Sequence, residues 1–234
     1  MIRTRAPHRR ALLSGIGITL LWTALPRSLC AAPADETRLA YRLDLWRTYS
    51  RKTRNLVARY TSKRRSSMLV APLRNAGVLA FTAPGTLLLR DDDIRGSTTR
   101  IAAGRVAITP NDAALPRSIV HAPDTSAGLR WLRDHLLLLF APVELSALRA
   151  DCRVRAPRGR TPRLAFLPEA GSVVRKSIRS LEVSLDPVGG AISRVDIAEA
   201  QGDSLTLEFS DRRQNVPASE LAAILQTAGQ PSVR

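Results

Sequence analysis

The sequence predicts an α+β domain built on an antiparallel sheet with one apolar face, and three observations carry that prediction. Between Ser177 and Ser210 three runs alternate apolar and polar residues with a period of two: Leu181, Val183, Leu185; Val195, Ile197; and Leu205, Leu207, Phe209. Two turn signals, Pro187-Val188-Gly189-Gly190 and Gln201-Gly202-Asp203, separate these runs. Elsewhere two segments carry apolar residues at helical spacing, as elements that cover such a sheet would. A slip of one residue in any strand would turn its apolar set into water, so the register is well specified.

The chain has 234 residues, 44% of them hydrophobic, which is enough for one domain with a sizeable core. Residues 1–34 read as a secretory signal peptide. Arg3, Arg5, Arg9 and Arg10 precede the apolar run Ala11 to Leu25, and Ala32-Pro33-Ala34 fits a small-x-small cleavage site. The alternatives are an uncleaved anchor, for which the run is shorter than the ~20 residues of a spanning helix, and lipidation at Cys30, which Leu29 and Arg27 fit poorly. Arg9-Arg10 is a weak twin-arginine signal. The expected mature domain is 35–234, placed in the periplasm, with Cys152 its one cysteine and so no intrachain disulfide.

The net charge is +16, and without the five arginines of residues 1–34 it is still +11. Only Lys52, Lys63 and Lys176 are lysines, a preference for arginine that matches the codon bias of a GC-rich genome. Export also separates the chain from nucleic acid, so no nucleic-acid partner is expected. The basic clusters Arg51 to Arg54 and Lys63 to Arg65 read as solvated strand ends or as contacts for anionic lipid heads.

In chain order, Thr37 is a candidate cap for a helix with Leu39, Leu43 and Trp46 on one face. From Asn55 the period changes to two, with Leu56, Ala58 and Tyr60 on one side of a strand. Met68 to Arg90 reads as strand, proline turn at Ala83-Pro84-Gly85, and strand, while Ile101 and Val106 to Ile108 flank a hairpin at Ala103-Gly104. Asp112 to Ala127 is a loop whose Asp124, Thr125 or Ser126 can cap a second helix. That helix shows Leu129, Leu132, Leu136, Leu139 and Phe140 on one face and stops at Pro142. Leu145 to Arg155 and Arg163 to Leu167 are strand-like, the strand pattern ends past Phe209, and Pro217 opens a short terminal helix with Leu221, Ile224 and Leu225.

No catalytic constellation emerges. His8 lies in the signal, His121 in a loop and His135 in the second helix, and none is expected to be paired for metal or catalysis. No nucleophile elbow, H-E-x-x-H, P-loop or dinucleotide glycine pattern occurs. Asp91-Asp92-Asp93 with Gly96 approaches a calcium loop, but Arg95 takes a ligand position and Ala102 stands where the bidentate glutamate belongs. A non-enzyme without metal or cofactor is the expectation.

Three passages resemble the LolA-like family of periplasmic lipoprotein carriers and their relatives: Pro72-Leu73 through Gly77-Val78-Leu79-Ala80-Phe81 to Pro84; Ile101 to Ile108 with Gly104; and Leu164-Ala165-Phe166-Leu167-Pro168 leading to Ser180 to Val183 and Gly202 to Phe209. The resemblance implies an unclosed antiparallel half-barrel with helices over its concave apolar face. It also implies a monomeric carrier of lipid or lipoprotein acyl chains, with an inner-membrane donor and an outer-membrane acceptor. The expected cavity lining is Leu56, Leu79, Phe81, Leu87, Leu89, Trp131, Leu136, Phe140, Leu181, Val183, Leu205 and Leu207. The alternative reading is a non-catalytic envelope interaction protein with a packed core, or a binder of anionic membrane surfaces.

Overall fold

The structure, a computed structural model, describes residues 32–102, 104–112, 114–115, 127–141, 149 and 151–227. Most of the expected signal, His121, the cap at 124–126 and residues 142–148 lie outside them. The strands are β1 (Asn55–Arg65), β2 (Leu73–Thr82), β3 (Thr86–Asp91), β4 (Ser97–Ala102), β5 (Arg105–Pro110), β6 (Cys152–Arg155), β7 (Arg163–Pro168), β8 (Ile178–Leu185), β9 (Ile192–Glu199) and β10 (Ser204–Gln214). Three α-helices have described bounds: α1 (Ala32–Ser50), α2 (Ala127–Phe140) and α3 (Ala218–Thr227).

All ten strands form one antiparallel sheet in the order β5-β4-β3-β2-β1-β10-β9-β8-β7-β6. It is two meanders running outward from a central pair made by the first and last strands, β1 and β10. Among the described residues the edge strands β5 and β6 do not pair, so the sheet remains an open half-barrel. The chain leaves one edge at β5 and returns at the other at β6, and α2 lies within that connection. A connection between opposite edges must cross a face of the sheet, and the apolar stripe of α2 decides which.

The alternation at 177–210 sets the pairing as expected. Leu181 and Leu205 flank Ile197, and Val183 and Leu207 flank Val195. These residues join Leu56, Ala58, Tyr60, Leu79, Phe81, Leu87 and Ile101 in one apolar layer, closed by Leu43 and Trp46 of α1 and by Trp131, Leu136, Leu139 and Phe140 of α2. Between β8 and β9 the Asp186 carboxylate accepts from the Val188 and Gly189 amides at 3.0 and 2.9 Å. Gly190 then takes φ +74, and a β-carbon there would lie 2.2 Å from the Leu45 carbonyl oxygen, so α1 rests directly on this turn.

Four expectations are corrected. The described part of helix α1 begins at Ala32, so Thr37 lies inside the helix rather than capping it. Strand β10 continues past Phe209 to Gln214, because Arg213 and Gln214 pair with Val57 and Leu56 of β1 across a register irregularity. On α2, Leu129 is 49% exposed, since the buried stripe runs through Gly128, Trp131, His135 and Leu139. The sheet is also not polar over its whole second face: Val57, Ala80 and Leu88 form a separate cluster with Val216 and Leu221 at the start of α3. Of the segment Leu145 to Arg155, the described strand covers Cys152–Arg155.

Candidate functional site

The candidate site is the layer between the apolar sheet face and α1 and α2. Ten of the twelve nominated residues are buried in its cluster, from Leu56 on β1 to Leu207 on β10, and Leu89 and Leu205 pack half-buried against it. Phe81, Leu181 and Val183 are 0% exposed, so the layer is closed in this conformation. Three rings run through it, Phe140 of α2 lying 6.0 Å from Phe81 and 5.9 Å from Phe209 between centroids.

Polar contacts tie the two covering helices to each other and to the sheet. The Trp46 indole N–H donates to the Leu139 carbonyl at 3.0 Å, serving one of the carbonyls that the last turn of α2 leaves without an intrahelical donor. Arg42 is buried on α1 and donates to the Pro157 and Arg163 carbonyls at 2.6 and 2.8 Å, while Arg38 donates to the Ala156 carbonyl at 3.0 Å. These contacts fasten α1 to the basic loop ahead of β7. Arg133 of α2 reaches the Gly104 carbonyl at the β4–β5 turn.

A second group of side chains gathers where α2 meets β6. His135 is buried, stacked on Trp131 at 3.9 Å between centroids and edge-on to Phe166 at 6.2 Å. Its Nε2 lies 3.6 Å from the Cys152 Sγ and 3.6 Å from an Asp151 carboxylate oxygen, two neighbours distant from it in sequence. Burial holds His135 below the usual imidazole range and pushes the Cys152 thiol up to about 12. No spacing rule could have found this group, because 16 intervening residues and a change of element separate His135 from Cys152.

The aspartates of the loop that approaches a calcium motif serve the fold. Asp91 accepts from the Tyr60 hydroxyl at 2.7 Å, the Asn75 amide at 3.3 Å and the Ser97 N–H at 3.0 Å. Asp92 pairs with Arg59, and Asp93 accepts from the Arg95 N–H at 2.8 Å. A cleft of 1070 Å³ lies on the opposite, polar side of the sheet, where Arg194 is bonded to both Asp196 and Glu208 at 2.7 Å. Thr206 adds a 2.7 Å bond to Asp196. Lined by such ion pairs, the cleft suits water rather than alkyl chains. Among the described residues no helix is long and apolar enough to cross a membrane.

No family model matches the chain, and no curated protein matches it. Solved structures do. A putative outer membrane lipoprotein-sorting protein domain from Vibrio parahaemolyticus is 11% identical with a TM-score of 0.45, over 85% of this chain and 100% of that one. A LolA superfamily protein from Nitrosomonas europaea is 7% identical with a TM-score of 0.39, over 77% and 96%. MucB, also matched in its Pseudomonas aeruginosa complex with MucA, is 15% identical with a TM-score of 0.44, over 79% of this chain and 62% of MucB. The open half-barrel itself is established by the strand order and register.

Proposed function

We propose that this chain is an exported carrier that shields a lipid, or the acyl chains of a lipoprotein, during transfer across the cell envelope toward the outer membrane. The observation that carries the reading is the single apolar layer between one face of a ten-stranded open sheet and the two helices that cover it. Each methylene leaving water is worth ~0.8 kcal/mol, so a chain of about a dozen carbons gains roughly 10 kcal/mol on entering such a layer. Entry requires α2 to move off the sheet, and release requires an acceptor that offers as much. No catalytic group is needed.

The experiment is titration with a fluorescent acyl-chain probe. The protein is expected to bind it with saturable affinity, and Leu89→Gln and Leu205→Gln, at the half-buried margin of the layer, are each expected to weaken binding about tenfold, or 1.4 kcal/mol, with the far-UV circular dichroism unchanged. A folded protein that binds no probe would instead be an envelope interaction protein with a filled core.

A second reading concerns how such a carrier meets its membrane. Between β1 and β2 the chain exposes Met68 at 91% and Val70 at 109%, with Leu69 and Leu73 also open to solvent. Arg64, Arg65 and Arg74 stand at the base of this loop. An apolar tip above a basic collar fits an anionic bilayer surface, where each basic residue adds about 1 kcal/mol. Binding to anionic vesicles is expected to fall steeply from low to moderate salt and to weaken in Val70→Asp. Equal binding to neutral vesicles would remove this reading.

A further inference from the structure

We propose that His135, Asp151 and Cys152 form a binding site for one divalent transition-metal ion of the zinc type, held by the imidazole Nε2, a carboxylate oxygen and the thiolate sulfur. The three donor atoms lie within 4.8 Å of one another. Both distances from Nε2, to sulfur and to the carboxylate oxygen, are 3.6 Å. Metal–ligand bonds of about 2.0–2.3 Å at tetrahedral angles place neighbouring donors roughly 3.3–3.8 Å apart, so these two separations already suit an ion between them. The donor set of one nitrogen, one sulfur and one oxygen suits a borderline ion rather than calcium or magnesium, which take oxygen ligands.

The imidazole is also presented in the form that a metal takes. Its Nδ1 lies 2.9 Å from the Trp131 carbonyl oxygen. A carbonyl only accepts, so Nδ1 carries the hydrogen and Nε2 keeps its lone pair toward the sulfur and the carboxylate. A backbone carbonyl on the far ring nitrogen is the usual outer partner of a metal-bound histidine. Trp131 fixes the ring a second time by stacking on it, and the Trp131 indole N–H donates to Asp151 at 3.3 Å, orienting that carboxylate.

Access comes from one side. His135 and Cys152 are buried, whereas the Asp151 side chain is 56% exposed, so the ion enters past Asp151 and a water completes the fourth position. Binding replaces the S–H bond of Cys152 by a metal–sulfur bond and releases one proton to solvent. The site spans α2 and the start of β6, so an ion there clamps the covering helix to the sheet edge. That consequence rests on the carrier reading; metal binding itself does not.

The test uses the untagged mature chain, titrated with zinc against a competing chelator and with cobalt(II) as a spectroscopic probe. The expected result is one ion per chain, a thiolate-to-cobalt charge-transfer band in the near ultraviolet, and a higher Tm with zinc. Cys152→Ser is expected to abolish the band and to weaken zinc binding at least about 100-fold, and Asp151→Asn about tenfold, since loss of even an outer partner of a metal ligand costs about 10–100-fold. Asp151 is exposed, so Asp151→Asn reports on the site even if Cys152→Ser disturbs packing. Absence of the band in the folded wild type, or zinc affinity unchanged in Asp151→Asn, overturns the proposal. Acyl-probe binding by a chain that binds no metal would separate this failure from failure of the carrier reading.

Discussion

Replacing Phe81 by alanine is expected to lower the free energy of unfolding by about 3–5 kcal/mol, a loss comparable with the whole stability of a marginal domain. Phe81 has no exposed surface and sits on β2, opposite Leu56 of β1 on one side and Leu87 of β3 on the other. With Phe209 of β10 it is one of two sheet rings against which the Phe140 ring of α2 packs, 6.0 Å away between centroids. Truncation removes the transfer energy of the ring and leaves a void that a sheet paired on both sides cannot collapse to fill. Denaturant unfolding measures the effect directly. A cost below about 1.5 kcal/mol, the range of a tolerated volume-conserving swap, would mean that the layer is much more loosely packed than described.

Gly77→Ala is expected to cost about 3 kcal/mol, the upper end of what overpacking usually costs. Gly77 pairs with Tyr60 on β1 and with Asp91 on β3. Because it lacks a side chain, the Tyr60 ring lies over it and its hydroxyl donates to Asp91 on the far strand, 2.7 Å away. A β-carbon at Gly77 would stand 2.0 Å from the Arg90 carbonyl oxygen and 2.8 Å from the Tyr60 Cε1. The first neighbour is backbone and has nowhere to go, so β2 and β3 must separate locally and the Tyr60–Asp91 bond must break. The readout is the thermal unfolding midpoint, and a variant as stable as the wild type would contradict the register of β2 and β3.

The parts of this fold that were legible in the sequence are those governed by local period. Strands β8 to β10 follow from strict alternation, and α1 and α2 from apolar residues at helical spacing. What was not legible depends on contacts distant in sequence. The polar end of β10 is a strand because β1 pairs with it, although nothing in Asp211-Arg212-Arg213-Gln214 favours one. Leu129 lies outside the buried stripe of α2 because Gly128 and His135 occupy it, a rotation that an all-leucine helix face does not reveal. The second cluster under α3 did leave a trace. Leu56-Val57-Ala58, Val78-Leu79-Ala80-Phe81 and Leu87-Leu88-Leu89 are continuous apolar runs, and such runs belong to strands covered on both faces. The group around His135 left none, since its members come together only when α2 packs against β6.

Uptake of acyl chains by the apolar layer is read out by native mass spectrometry of the mature protein purified from the envelope fraction, with lipid extraction of the same sample. A bound acyl-containing species is expected, released on unfolding and depleted in Leu89→Gln and Leu205→Gln. A clean mass of the chain alone, with no species acquired on incubation with lipid, would contradict it.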